Sequence, residues 1–213
     1  AIAFSVLEDQ MLLEVHERIA GIVLAAGGSS RFGEPKQLLD WFGKPLVKFV
    51  AEKVASSGCS PVLVVTGADH DSVSGALEGL QVDIVCNTGW QVGQSSSVRA
   101  AIQSLPDDVN AVIFNLVDQP LIPVELITAL RKKHARNPAA IILPMIDGKP
   151  ANPVLFDRRV FSDLEGVEGD VGGRALFDKY PPSSIPWDDP DSQVDVDTPE
   201  EYQKIRFSQE IDD

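Results

Sequence analysis

The segment Leu24-Ala25-Ala26-Gly27-Gly28-Ser29-Ser30-Arg31-Phe32-Gly33-Glu34-Pro35-Lys36 combines small residues with two fixed cations, directly after a β-branched apolar run. Glycines at the end of a strand let backbone N–H groups approach an anion closely. Arg31 and Lys36 add the positive charge that a triphosphate requires. The loop is not a Walker A motif: Gly28 and Gly33 have the GxxxxG spacing, but Glu34-Pro35 stand where Lys-Ser/Thr belong. Nor is it GxGxxG, because Gly27 and Gly28 are adjacent and the next glycine is Gly33. A solvated surface turn is the competing reading, and the position after the first strand with both cations following outweighs it.

Two acidic positions complement this loop. Asp118, in Asn115-Leu116-Val117-Asp118-Gln119-Pro120, closes the apolar run Ala111–Leu116. A carboxylate at the carboxyl end of a central strand points at the ligand crevice of an open α/β sheet. One or two carboxylates together with substrate phosphates suffice for magnesium. The second position is Asp195-Val196-Asp197-Thr198-Pro199, where a strand would place both aspartates on one face. Thr198 as N-cap, Pro199 at N1 and Glu201 at N3 then start a helix. That explanation does not need Asp197, which is the stronger metal-ligand candidate of the two.

The whole chain restricts the partner. A net charge of −14 argues against nucleic acid, whose backbone needs a basic footprint. It also means that a bound triphosphate needs a divalent cation and local N–H donors against the protein's own field. No apolar run approaches membrane-spanning length. The first residues carry acids within their apolar stretch and no basic leader pattern, so a cytoplasmic protein is expected. Cys59 and Cys86 have no CxxC or Cys/His spacing, which argues against a zinc or disulfide framework and reads as two small buried hydrophobes in or beside strands.

The elements that must position these residues follow from alternating patterns. Strands are expected at Ile19–Leu24, Val62–Thr66, Val82–Cys86, Ala111–Leu116 and Ala140–Pro144. Helices are expected at Pro45–Ser57, near Asp69–Leu80, from about Ser95 to Ser104, and at Pro123–Arg136. Strand–loop–helix repetition predicts an α/β fold, a doubly wound and mostly parallel sheet in three α/β/α layers. Beyond Asp147 the rhythm becomes irregular, with short strands at best and Val194–Val196 as a candidate last strand. Residues 1–18 read as a separate helical appendage. Residues 19–208 read as one unit, a nucleotide half to about 120 and an acceptor half after it.

These motifs carry a resemblance. LAAGxSxRxGxxK after the first strand is similar to the signature of the MobA-like nucleotidyltransferases, a family that includes molybdenum cofactor cytidylyltransferases and guanylyltransferases. Guanylyltransferases read LAGG here, so Ala26 places the chain nearer the cytidylyl branch. Asp118-x-Pro120 looks like the family's metal motif. Asp195-Val196-Asp197-Thr198-Pro199-Glu200-Glu201 resembles its late D-[IV]-D-T-P-E-[DE] segment. Asn87-x-x-Trp90-x-x-Gly93-x-Ser95-Ser96-Ser97 resembles its base-lining stretch, with Trp90 either packing or stacking. Gly148–Pro153 and Gly169-Asp170-x-Gly172-x-Arg174 resemble two segments that face the second substrate.

By that resemblance the nucleotide lies against Leu24, Ala25, Ala26, Gly27, Gly28, Ser29, Arg31, Lys36, Thr66 and Ser97. Lys36, Arg31 and Asp118 are the catalytic residues, and Asp118 and Asp197 hold magnesium, with manganese as the alternative ion. Asn152, Asp170 and Arg174 face a phosphorylated pterin-type acceptor. The implied reaction is in-line attack of an acceptor phosphate oxygen on the α-phosphate of CTP (or GTP), releasing pyrophosphate. Such catalysis is positioning and electrostatics, without a protein nucleophile. A molybdoenzyme or its chaperone is the implied protein partner. The alternative within the family is a guanylyltransferase or another cytidylyltransferase acting on a different phosphorylated acceptor. Two rivals of other classes remain, a dinucleotide-binding oxidoreductase and a non-catalytic cofactor chaperone. The oxidoreductase expects a ribose-binding acid at the end of the second strand, where Thr66-Gly67 stand instead.

Overall fold

The computed structural model describes residues 18–29 and 32–211. The expected appendage (but for Arg18) and Arg31 lie outside the described residues. Strand β1 (Ile19–Ala25) is flanked by β4 (Val62–Thr66) on one side and β6 (Ala111–Leu116) on the other, both parallel to it. Helix α1 (Leu46–Ser56) connects β1 to β4, after a two-stranded hairpin of β2 (Asp40–Trp41) and β3 (Lys44–Pro45). Helix α2 (His70–Ala76) leads to the edge strand β5 (Asp83–Cys86), and α3 (Gln94–Gln103) leads to β6. Chain order therefore runs outward from β1 to β4 and β5, then jumps back to β6 on its other side. That reversal is the topological switch point where an open α/β sheet leaves a crevice at its carboxyl ends.

The second half is more ordered than its sequence suggests. Helix α4 (Val124–Arg136) precedes β7 (Ile141–Ile146), whose partner β8 (Lys149–Pro150) forms a short hairpin with it. β9 (Val154–Asp157) then inserts antiparallel between β6 and β7. β10 (Ser183–Pro186) adds to the far side of β7, after the short helix α5 (Phe161–Glu165). Among the described residues the sheet has eight strands, ordered β10-β7-β9-β6-β1-β4-β5 with β8 off β7. The fold class predicted from the sequence is the one observed. Proline and glycine around β9 conceal it locally, and pairing with one neighbour on either side makes it a strand.

Alternation in β1 creates the three layers. Ile19, Val23 and Ala25 enter one cluster, packed with α1 and α4, whereas Ala20, Ile22 and Leu24 enter the other, with α3 and α5. A third cluster joins the β2–β3 hairpin to the last helix, α6 (Pro199–Ile211), through Trp41, Val196 and Tyr202. Two expectations are corrected. Residues 194–196 form no strand: Val196 makes one backbone bond to Asp118 (N to O, 2.7 Å) and its buried side chain anchors the segment in the third cluster. Cys86 is exposed, because β5 is the sheet edge; only Cys59 is buried.

Candidate active site

The loop after β1 is shaped by its neighbours. Ala68 N donates to Ala26 O at 3.2 Å, tying the loop to the end of β4. Gln37, buried, donates from Nε2 to Ala25 O (2.9 Å) and Gly27 O (2.6 Å). Ser29 adopts φ 49°, a left-handed conformation costly for serine. Its Oγ offsets the strain by accepting from Lys36 N at 2.9 Å and donating to Gln37 Oε1 at 3.2 Å. Gly28 is required by packing, since a Cβ there would stand 2.9 Å from Trp90 Cη2. Trp90 thus packs against the loop and also lines the cleft. The amides of Gly28 and Ser29 donate to nothing among the described residues, which leaves them for an anion.

Across the switch point, Lys36 reaches the acidic positions. Its Nζ lies 2.6 Å from Asp118 Oδ2 and 3.2 Å from Asp197 Oδ1. Burial disfavours the ammonium, but Asp118 and Asp197 outweigh it and hold the Lys36 pKa above the ordinary lysine value. Asp195 stands beside them. Burial, then repulsion from Asp118 and Asp197, pushes its carboxyl above the usual aspartate range, with a hydrogen bond from Gln119 opposing (Nε2 to Oδ1, 2.8 Å).

Asp118 Oδ1 is buried and has no hydrogen-bond partner among the described residues. A buried carboxylate oxygen left bare costs free energy on the order of 1–3 kcal/mol unless a ligand satisfies it. The residues therefore fit a divalent cation: an orphaned hard oxygen, a second carboxylate close by, and an ammonium that neutralises both meanwhile. Among the described residues no group of three His, Cys, Asp or Glu forms a full metal cage. Magnesium-type sites completed by substrate phosphates do not need one.

Two connected clefts open here. One, of about 650 Å³, is lined by Leu24, Ala26, Gly27, Lys36, Ser97 and Asp118 among others. Ser97 is held by Asn87 Nδ2 at 3.0 Å. The other, of about 340 Å³, is lined by Asn152, Asp170, Arg174 and Asp195 against an apolar wall including Phe114 and Phe156. Asp170 borders both clefts and accepts from Gln94 N (3.1 Å), capping α3 from a distant loop.

Most sequence-predicted residues thus converge. Thr66 does not line either cleft: it is fully buried, with its Oγ1 bound to His70 Nδ1 (2.7 Å) and Val85 O (3.3 Å), and supports the loop from behind. Ala25 likewise lies inside the sheet. Gln37 and Gln119 were not singled out from sequence, because a polar residue beside a motif carries no sign of what it binds. A glutamine 6 % exposed or less is recognisable only once the fold buries it.

Residues 21–184 match the MobA-like NTP transferase domain. The chain belongs to that family. Among its relatives, the nicotine blue oxidoreductase of Paenarthrobacter nicotinovorans is 29% identical over 196 residues, covering 88% of this chain and 96% of that protein. Among solved structures, the Rv0371c homologue from Mycobacterium sp. strain JC1 is 28% identical with TM-score 0.80, covering 91% of this chain and 98% of that one. Rv0371c of Mycobacterium tuberculosis H37Rv, solved in complex with manganese, has TM-score 0.76 at 23% identity, covering 90% and 99%. The resemblance read from the motifs is therefore correct at the level of family and fold, and the chain is a nucleotidyltransferase of MobA-like type.

Proposed function

We propose that this MobA-like protein transfers CMP from CTP to the phosphate of a pterin-type acceptor, molybdopterin, with magnesium or manganese as the divalent ion. The observation that carries the reading is the Lys36 ammonium bridging Asp118 and Asp197 beside the orphaned Asp118 Oδ1. Asp118 and Asp197 would hold the cation, which when bound supplies charge neutralisation at the phosphates. The manganese complex of Rv0371c, a protein of the same fold, supports the choice of a divalent ion.

The residues divide the work. Leu24 and Ala26–Ser29 cradle the phosphates, and Ser97 faces the base. Arg31 adds a second cation to the phosphate loop. Lys36 exchanges its carboxylates for the α-phosphate, where negative charge grows as the acceptor oxygen attacks opposite the departing pyrophosphate. Preorganised cations at that point lower the barrier without reorganising solvent. Asn152, Asp170 and Arg174 position the acceptor in the smaller cleft, giving a nucleotide half up to about residue 120 and an acceptor half beyond it. A molybdoenzyme or its chaperone is the corresponding recipient of the product.

Pyrophosphate release with CTP, GTP, ATP and UTP in the presence of molybdopterin and magnesium tests the reading. Release with CTP in clear preference is expected. Indifference to CTP would sink the base assignment. The similarity to nicotine blue oxidoreductase favours a second reading, a nicotinamide-dependent reductase. Metal-independent binding and oxidation of NADH or NADPH would support it over transfer.

A further inference from the structure

The transfer chemistry makes no use of Gln119, although its side chain is buried between two residues of the acceptor cleft. Its Nε2 donates to Asp195 Oδ1 at 2.8 Å, and its Oε1 accepts from Asn152 Nδ2 at 3.1 Å. All three residues line the 340 Å³ cleft. Hydrogen-bond complementarity sets the direction of this chain. The Gln119 NH₂ is turned to Asp195 Oδ1, which accepts from it. Its carbonyl then faces Asn152, which must answer with its own NH₂. That leaves Asn152 Oδ1, which accepts from nothing among the described residues, as the atom available to a ligand.

We propose that Gln119 is a positioning residue: anchored on Asp195, it holds Asn152 with Oδ1 toward the cleft, so that the acceptor site selects a heterocycle edge bearing N–H donors. The apolar wall formed by Leu24, Phe114, Val154 and Phe156 suits the flat face of such a ring. A ligand presenting a carbonyl at the same place would meet an acceptor and leave both oxygens unpaired, a mismatch that binding sites reject strongly. This inference rests on the pterin-type acceptor proposed above and adds which edge of it is read.

Pterin and lumazine test it on the N3–C2 edge, which offers N–H and an amino donor in pterin but N–H and a carbonyl acceptor in lumazine. Both are fluorescent, so equilibrium titrations need neither CTP nor metal nor turnover. Wild-type protein is expected to bind pterin on the order of 10-fold more tightly than lumazine. Gln119→Met keeps the length of the side chain but cuts the relay, and the ratio should fall toward one. Asp195→Asn lets the Gln119 amide turn over, so that Asn152 presents its NH₂ and the preference shifts toward lumazine. Having two variants protects the test against one that fails to fold. Equal affinities in the wild type, or a ratio untouched by either variant, would overturn the relay while the pterin acceptor stands. If neither pteridine binds, the acceptor reading falls and the relay falls with it.

Discussion

Lys36 is the residue on which the site depends. It sits 2.6 Å from Asp118 and 3.2 Å from Asp197, so its charge is fixed in place before any phosphate arrives. Removing one preorganised charge from a developing oxyanion typically costs about 10²–10³ in kcat. Lys36→Ala is therefore expected to lose turnover by that factor in a pyrophosphate-release assay. Lys36→Arg should not restore it, because a planar fork cannot replace a compact ammonium between two carboxylates. Unchanged kcat in Lys36→Ala would remove the proposed mechanism. The two cysteines give a second prediction at this scale. Cys59 is buried, and burial pushes its thiol pKa up against a hydrogen bond from Ser57 and the charge of Arg131. A thiol reagent should label Cys86 at once in the native protein and Cys59 only after unfolding, since the thiolate is the reactive form.

At the scale of elements, the inserted strand β9 is held at its end by charge. Asp157 Oδ2 lies 2.8 Å from His134 Nε2 on α4, and Arg159 binds the same carboxylate at 2.8 Å. Burial opposes ionisation of Asp157, but the Arg159 and His134 hydrogen bonds prevail and lower its pKa. A carboxyl whose folded pKa is depressed contributes stability above its unfolded pKa and loses it as pH falls through the folded value. Asp157→Asn should therefore be less stable than wild type at neutral pH in urea titrations. The gap should close only below pH about 4, near the unfolded aspartate value. A difference that persists unchanged into strong acid would assign the loss to packing instead. The other end of the fold shows the same economy. Thr198 and Glu201 form a reciprocal capping box, Thr198 Oγ1 accepting from Glu201 N (3.2 Å) and Glu201 Oε2 from Thr198 N (2.9 Å). That cap starts α6 where Asp197 must face Lys36.

For the molecule as a whole, the charge of −14 sets the terms of binding. A triphosphate approaching this field without a counterion is repelled, and Lys36 is already engaged with two carboxylates. CTP alone should therefore shift the melting temperature little, whereas CTP with magnesium or manganese should shift it clearly. Saturation at about 100 times Kd corresponds to about 2.7 kcal/mol of added stability. Chelation with EDTA should reverse the shift. An equal shift with and without metal would contradict the role given to Asp118 and Asp197.

Local signals in the sequence determined the βα repeats, the phosphate loop, the capping box and the separate acidic motifs, because period, glycine placement and cap chemistry depend on neighbours in the chain. They also determined the family, through motifs that occur in order. Only the tertiary structure decided which of those motifs meet. Lys36, Asp118 and Asp197 are separated by 82 and 161 positions, and the reversal of strand order at β1 brings them within hydrogen-bond reach. Burial of Val196 in the third cluster, not a strand, turns Asp195 and Asp197 toward the site. The antiparallel insertion of β9 and the supporting roles of Gln37, Gln119 and Thr66 were equally invisible beforehand. A buried amide or hydroxyl acquires its partner from packing between distant segments, and no local pattern records that partner.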